Sequence, residues 1–242
     1  MKNREVFSNL ITIPPVFIRL DGRSFHRLAT CWGLEKPFDT RFSEAMASVA
    51  RRLVSDSGLS PECAYTFSDE ISLYCTELPF KGRVEKIDAV AASFAASSLT
   101  IELGSEHPIS FDARIIQITP ELAVEYLINR QSEAWRNHIN SYCQNLLIER
   151  GLSRREAAHQ LKGMTSPDMH ELMFRAGVNL AETPAWQRRG VLVYKKRKSI
   201  RGFNPKLGTV TDTMRSTVVT GRDLPLFSSP AGRALLSGIF DL

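Results

Sequence analysis

The sequence predicts an α+β fold whose first 120 residues follow a ferredoxin-like, split βαβ plan, with helices and a β-hairpin added after it. Apolar strand-forming runs fall at 15–22, in the pair CAYTF and ISLYC, and at 109–118. Stretches with helical spacing or alanine-rich composition fall at 38–56 and 83–103. Their order is strand, helix, hairpin, helix, strand, which is the order that plan requires.

PVFIRLDG (15–22) is a compact apolar run ending on an acid and a glycine, as a buried strand entering a turn does. Over 38–56, Phe42, Met46, Val49 and Leu53 recur at helical spacing, and Asp39 or Thr40 is placed to cap that helix. CAYTF and ISLYC form a hairpin joined at Ser68-Asp69-Glu70. An alanine-rich helix over about 83–103 leads to ISFDARIIQI (109–118), which alternates as a strand should. Pro120 opens a helix reaching Glu149, with Leu122, Tyr126, Ile139, Cys143 and Leu146 along it, and Gly151 ends it. Short helices are expected over 153–162 and 167–176. A strand, GVLVYKK, then enters a basic hairpin that returns through RSTVVT. The tail beyond it, with Pro225 and Pro230, is weakly patterned. No repeat or linker divides the chain, so a core over 1–120 and an elaboration over 121–242 are expected to pack as one unit.

At 242 residues, 43% hydrophobic and 24% charged, the composition is that of an ordinary globular protein. The N-terminal apolar stretch is broken by Pro14-Pro15, Arg19 and Asp21, unlike a signal peptide. The longest uncharged run in the middle, Ala89–Ile101, falls short of the ~20 residues of a spanning helix. Cys31, Cys63, Cys75 and Cys143 form no C-x-x-C pair, which fits buried free thiols and a cytoplasmic setting. The net charge of +5 is concentrated in one place. Arg188 to Lys206 holds eight basic residues and no acid, leaving 23 basic against 26 acidic residues elsewhere. Such a patch (Arg188, Arg189, Lys195, Lys196, Arg197, Lys198, Arg201) suits a polyanion such as RNA, or else a solvated hairpin tip.

The sharpest local anomaly is YTFSDEISL (65–73), where Asp69 and Glu70 interrupt an apolar ribbon. Adjacent carboxylates are poor strand residues and repel each other. They mark either a solvated turn or a metal site. In a split βαβ fold the first strand lies beside the hairpin, so Asp21 approaches Asp69 and Glu70. Two or three hard oxygen ligands on rigid neighbours suit Mg²⁺, and two such ions about 4 Å apart activate an attacking oxygen and stabilise a leaving phosphate. Gly22 permits a sharp turn from which the amides of Arg23, Ser24 and Phe25 can converge on a triphosphate. A turn or capping role for each acid stays open beside the metal reading.

FIRLDGRSFHRL, KPFD, YTFSDEISL, FDARII, YLINRQSEAWRNHIN and MHELMFRAGVNLAETPAWQRRG together resemble the tRNA-His guanylyltransferase family, in the same order and over about residues 5–197. Its members add nucleotides to the 5′ end of tRNA, running opposite to conventional polymerases. The resemblance implies a palm-like catalytic core with two Mg²⁺ ions. Asp21 and Asp69 would be the metal carboxylates, the Gly22 carbonyl a further ligand, and Glu70 a supporting neighbour. The amides of Arg23, Ser24, Phe25 and His26 would hold a triphosphate, with Lys36, Asp39, Ser68 and Asn137 near a nucleotide. It implies ATP, GTP and tRNA as partners and a homotetrameric assembly. WRNHINS (135–141) keeps Asn137 but little else of the eukaryotic branch's motif, and Met169 stands where that branch has lysine. Both departures look like the archaeal-type, guanylyltransferase-like members, which copy the opposite strand and repair shortened 5′ ends. Strict specificity for tRNA-His is not implied.

Two other readings compete. A palm-type nucleotide cyclase also pairs an acid after strand one with an acidic turn, but T-F-S-D-E lacks paired glycines to admit a purine. A non-catalytic ferredoxin-like RNA-binding module would stack bases on sheet aromatics, and RGFNP (201–205) faintly matches the start of such a signature without its aromatic continuation. HELMF lacks the second histidine of a zinc-protease helix, and no Walker, GxSxG or GxGxxG pattern occurs. His138 and His159 read as structural or surface residues, and Trp135 and Trp186 as packed in cores or interfaces.

Overall fold

The computed structural model describes residues 4–204 and 208–240, apart from the side chains of His26, Phe203, Asn204 and Thr211. Six strands form one antiparallel sheet: β1 (Val16–Gly22), β2 (Cys63–Phe67), β3 (Glu70–Cys75), β4 (Phe111–Gln117), β5 (Val191–Asn204) and β6 (Thr209–Gly221), in spatial order β4-β1-β3-β2-β5-β6. The first four have the β4-β1-β3-β2 order of the split βαβ plan, which bears out the fold expected.

Alternation sorts the residues of each strand between two faces. Val16, Ile18 and Leu20 of β1, with Ile71 and Leu73 of β3, pack against α2 (Thr40–Ser55) and α3 (Val84–Leu103). Helix α2 presents Met46, Val49, Ala50 and Leu53, each at most 1% exposed, and each large side chain contributes about 1.5–3 kcal/mol. It starts where Asp39 accepts hydrogen bonds from the Arg41 and Phe42 amides, so Asp39 is the cap. On the other face, Phe17, Tyr65, Tyr74 and Leu192 pack with α4 (Pro120–Glu149) and α8 (Pro230–Phe240). Phe17 stacks on Tyr126 with ring centroids 4.0 Å apart.

Helix α4 runs unbroken for 30 residues from a Thr119 cap with Pro120 at its start. Its C-terminal half builds a third core with α5 (Arg154–Leu161) and α6 (Ser166–Arg175), which buries Ile139, Cys143, Leu147, Met169 and Met173. Ser153-x-x-Glu156 and Thr165-x-x-Asp168 are full capping boxes and set where those two helices begin.

Three short or late elements escape the sequence pattern: α1 (Phe25–Cys31), α7 (Ala185–Arg189) and α8. The weakly patterned tail contains α8, whose Leu236 and Phe240 close the second core over Tyr74. Cys63, Cys75 and Cys143 are buried free thiols as expected, whereas Cys31 is exposed. Only residues 191–194 of β5 pair with β2, so the rest of the β5–β6 hairpin runs on past the core as a two-stranded ribbon.

Candidate active site

The end of β1 and the β2–β3 turn meet as the fold plan requires. The Gly22 amide donates to the Asp69 carbonyl at 3.1 Å, and Asp21 stands directly opposite Glu70 across the β1–β3 ladder. Gly22 is needed for this approach, because a Cβ there would lie 2.8 Å from the Asp69 Cβ and 2.4 Å from the Phe25 ring. Ser68 takes a left-handed backbone (φ 50°) to turn the hairpin, and its hydroxyl donates to Asp69 Oδ1 at 3.0 Å.

Glu70 departs from its expected place in the turn. It opens β3, so its side chain projects to the α4 face, where Arg130 Nη1 donates to both carboxylate oxygens (2.9 and 3.3 Å). The pair is largely buried, with side chains 17% and 14% exposed. Burial pushes the Glu70 pKa up, the Asp21 charge adds to that, and Arg130 and Arg19 pull it back. Sequence reading missed Arg130. Its signal was the seven-residue interval to Asn137, which places both on one face of α4.

Of the amides expected to meet a triphosphate, one is engaged elsewhere. The Arg23 amide donates to the Ser110 carbonyl at 2.9 Å and is spent on the fold, contrary to expectation. Ser24, left-handed at φ 61°, precedes α1 and leaves the Phe25 and His26 amides in its first turn, where intrahelical acceptors are lacking. The side chain of His26 lies outside the described residues.

A pocket of about 220 Å³ opens beside the turn. It brings together Phe25, Lys36, Asp39, Ser68, Asp69 and Asn137 from four separate stretches of sequence. Asp21, Gly22, Arg23 and Ser24 are not part of its lining, and Asp69 links the pocket to them. Its flat walls are aromatic: Phe38 meets Trp186 edge-on at 6.1 Å, and Trp32 stacks on Phe42 at 6.5 Å. Asp39 is saturated. Its carboxylate accepts from the Glu35, Arg41 and Phe42 amides and from the Arg41 guanidinium, which foremost lowers its pKa to about 2. It therefore clamps the loop that carries Lys36.

His138 is structural, as expected: fully buried, with Nε2 3.1 Å from the Thr183 hydroxyl and its ring stacked on Trp135. Met169 is buried in the third core.

The basic segment divides. Arg188 Nε donates to the Thr183 carbonyl (2.8 Å) and Arg189 Nη1 to the Leu224 carbonyl (2.6 Å), so neither belongs to an open patch. Lys195 and Arg197 both approach Glu62 at 3.5 Å. Lys196, Lys198 and Arg201 are exposed on the ribbon, opposite Thr217, Arg215 and Asp212.

Solved structures share this architecture. A bacterial guanylyltransferase-like protein in complex with ATP superimposes with a TM-score of 0.76 at 23% identity, covering 99% of this chain and 96% of that one. The Saccharomyces cerevisiae tRNA(His) guanylyltransferase gives 0.67 at 24% identity, over 76% and 88%. The fold class is the palm-like one that these structures share. A family model described as tRNAHis guanylyltransferase matches residues 1–119, and one described as the Thg1 C terminal domain matches 121–222. Among curated relatives, a probable tRNA(His) guanylyltransferase of Dictyostelium discoideum is 30% identical over 75% of each chain. One of Mus musculus is 29% identical over 92% of this chain and 78% of its own. The chain belongs to the tRNA-His guanylyltransferase family.

Proposed function

We infer that this enzyme adds nucleotides, G notably, to the 5′ end of tRNA in the 3′–5′ direction, guided by the opposite strand. A nucleoside triphosphate, ATP or GTP, first activates the 5′-phosphate. The observation that carries the reading is the juxtaposition of the aromatic-walled pocket with the Asp21–Gly22–Asp69 corner, joined through Asp69.

Family membership implies two Mg²⁺ ions, and the donor set fits them. Asp21 and Asp69 carboxylates and the Gly22 carbonyl are hard oxygens held on backbone that the Gly22–Asp69 hydrogen bond fixes. Among the described residues no group of three or more His, Cys, Asp or Glu side chains gathers to hold an ion. That suits Mg²⁺, which is held by one or two carboxylates plus substrate phosphates and water. When bound, such ions supply charge neutralisation at the phosphates and activation of the attacking hydroxyl. The chain itself supplies position. The aromatic walls hold the base, Lys36 and the first amides of α1 meet phosphates, and Arg130 keeps the Glu70 charge compensated beside Asp21.

Contact of Lys196, Lys198 and Arg201 with tRNA phosphates, a homotetramer and a cytoplasmic setting belong to the same proposal. The exposed cations on the ribbon support the first. The exposed apolar side chains Val6, Phe7, Leu10, Ile11 and Ile13 of the N-terminal segment support assembly. The free cysteines support the third, and no helix among the described residues is long and apolar enough to cross a membrane.

The test uses 5′-labelled tRNA transcripts, truncated by one nucleotide or full-length tRNA-His, with Mg²⁺, ATP and single nucleoside triphosphates. Extension by the nucleotide complementary to the acceptor strand is expected, with loss of 10²–10³-fold or more in Asp21→Ala and Asp69→Ala. Preference for truncated transcripts selects repair. No extension by folded protein overturns the reading.

A further inference from the structure

A second cavity, of about 370 Å³, lies on the other flank of α4. Ile128, Ser132 and Trp135 of α4, Arg188 and Arg189 at the end of α7, and Leu226 line it. The two pockets share their walls. Ala134 of α4 and Gln187 of α7 face the first, while their sequence neighbours Trp135 and Arg188 face the second.

The Asp223 charge offsets part of that on Arg188, but it forms no ion pair with it. Each arginine spends one donor on a backbone carbonyl, Arg188 on Thr183 and Arg189 on Leu224, and among the described residues no carboxylate forms an ion pair with either. Arg188 is partly buried, and burial followed by the Arg189 charge lowers its pKa. Two adjacent guanidiniums withdrawn from water repel each other unless an anion joins them, and their planar forks match phosphate oxygens. The backbone that presents them is rigid. The Arg189 carbonyl accepts from the Tyr65 hydroxyl at 2.9 Å, and Gly190 (φ 70°) leaves no room for a Cβ, which would lie 2.8 Å from that hydroxyl. Ile128, Trp135 and the half-exposed Leu226 give the wall an apolar part, beside the polar Gln131, Ser132 and Ser228. A charged fork beside an apolar, aromatic surface is the chemistry of a nucleotide unit, one phosphate with its sugar and base.

We propose that this second cavity binds one phosphate-bearing nucleotide unit through Arg188 and Arg189, beside the site of chemistry. This rests on the proposed tRNA reaction for its biological source, which is either a nucleotide of the tRNA strand or a second free nucleoside triphosphate. The phosphate chemistry is the same in both.

The test places a carboxylate on the cavity wall. Ser132→Asp, on the exposed face of α4, pairs with the arginines and repels phosphate, and Ser132→Asn is the neutral control of similar size. Ser228→Asp, on the facing loop, repeats the test from a different element. Each full-length variant is titrated with GTP and, across a salt series, with 5′-phosphorylated tRNA transcript. If tRNA is the source, both Asp variants weaken tRNA binding about tenfold and reduce the slope of log affinity against log salt by about one, with GTP binding unchanged. If a free nucleotide is the source, wild type binds two GTP per chain and the Asp variants one. Wild-type tRNA affinity, salt slope and GTP stoichiometry in both Asp variants, or equal loss in Ser132→Asn, overturn the proposal. Extension of tRNA by wild type, run alongside, separates the outcomes. Extension with unaffected Asp variants removes this cavity alone, whereas no extension with lost phosphate binding removes the reaction and leaves the cavity standing.

Discussion

Gly22→Ala probes the corner on which the whole site depends. The backbone of Gly22 is not in the left-handed region, so alanine is conformationally acceptable and the effect is one of space alone. The new Cβ would sit 2.4 and 2.5 Å from two atoms of the Phe25 ring and 2.8 Å from the Asp69 Cβ. Ordinary contact begins near 3.4 Å, so the ring must retreat by about 1 Å and the turn by about 0.6 Å. The ring has little freedom to do so. Phe25 is 8% exposed and hemmed by Trp32, Phe42 and Phe111 at centroid distances of 6.0, 5.9 and 5.4 Å. Overpacking of this kind costs about 2 kcal/mol, or about 4–8 °C in Tm for a chain of this size. The catalytic penalty is larger, because the turn that carries Asp69 shifts by about 0.6 Å, and a misplacement of about 1 Å at a reacting group costs up to about 10²-fold. Nucleotide addition measured 20 °C below the variant's own Tm should therefore show kcat reduced ten- to a hundredfold. Phe25→Leu in the same chain makes room and should recover most of the Tm. Wild-type Tm and kcat in Gly22→Ala would refute the proposed dependence of Asp69 on this contact.

Two further perturbations test the charges around the site. Arg130→Met strands the Glu70 carboxylate in a buried setting, and denaturant unfolding should show a loss of about 3 kcal/mol, most of it recovered by adding Glu70→Gln. His138, whose pKa burial foremost lowers from 6.5 to about 4 with Arg188 and His170 adding, stays neutral in the folded chain while the unfolded chain takes up a proton. Unfolding then binds a proton between pH 6.5 and 4, so the His138 contribution falls as pH drops through that window, by about 3 kcal/mol in full. Asp88, raised to about 6 by burial, has the opposite sign over part of that range. The difference between wild type and His138→Gln in urea midpoints at pH 7 and 4.5 isolates the histidine, and an unchanged difference would refute it.

Long, strongly periodic elements were legible in the sequence, and short ones were not. The stripe Phe42, Met46, Val49, Leu53 and the Pro120 start each carry a helix signal that tertiary context only reinforces. Helix α1 has seven residues and α7 has five, too few for a period to repeat, and both owe their conformation to packing. The tail hid α8 because Pro225 and Gly232 read as loop residues. Pro230 in fact begins that helix, and Gly232 is where it crosses the Leu226–Phe227 backbone, leaving no room for a Cβ. Charge in the basic segment was legible as composition but not as arrangement. Whether Arg188 faces solvent or a carbonyl depends on where Thr183 lands, which no pattern in the sequence encodes.

The same limit explains the pair of acids. In a strand, neighbours point to opposite faces, so the role of Glu70 hangs on whether the strand begins at it or after it. Starting β3 at Glu70 places its carboxylate in line with Asp21 on the α4 face, where it needs a cation, and Arg130 is the residue that α4 brings there. Asp69 is left in the turn, bonded through its carbonyl to Gly22 and lining the pocket. Two charges that repel as neighbours in sequence are thus divided between two jobs. One is neutralised to lock helix to sheet. The other stays at the pocket's edge, the position from which the proposed chemistry requires a hard oxygen ligand.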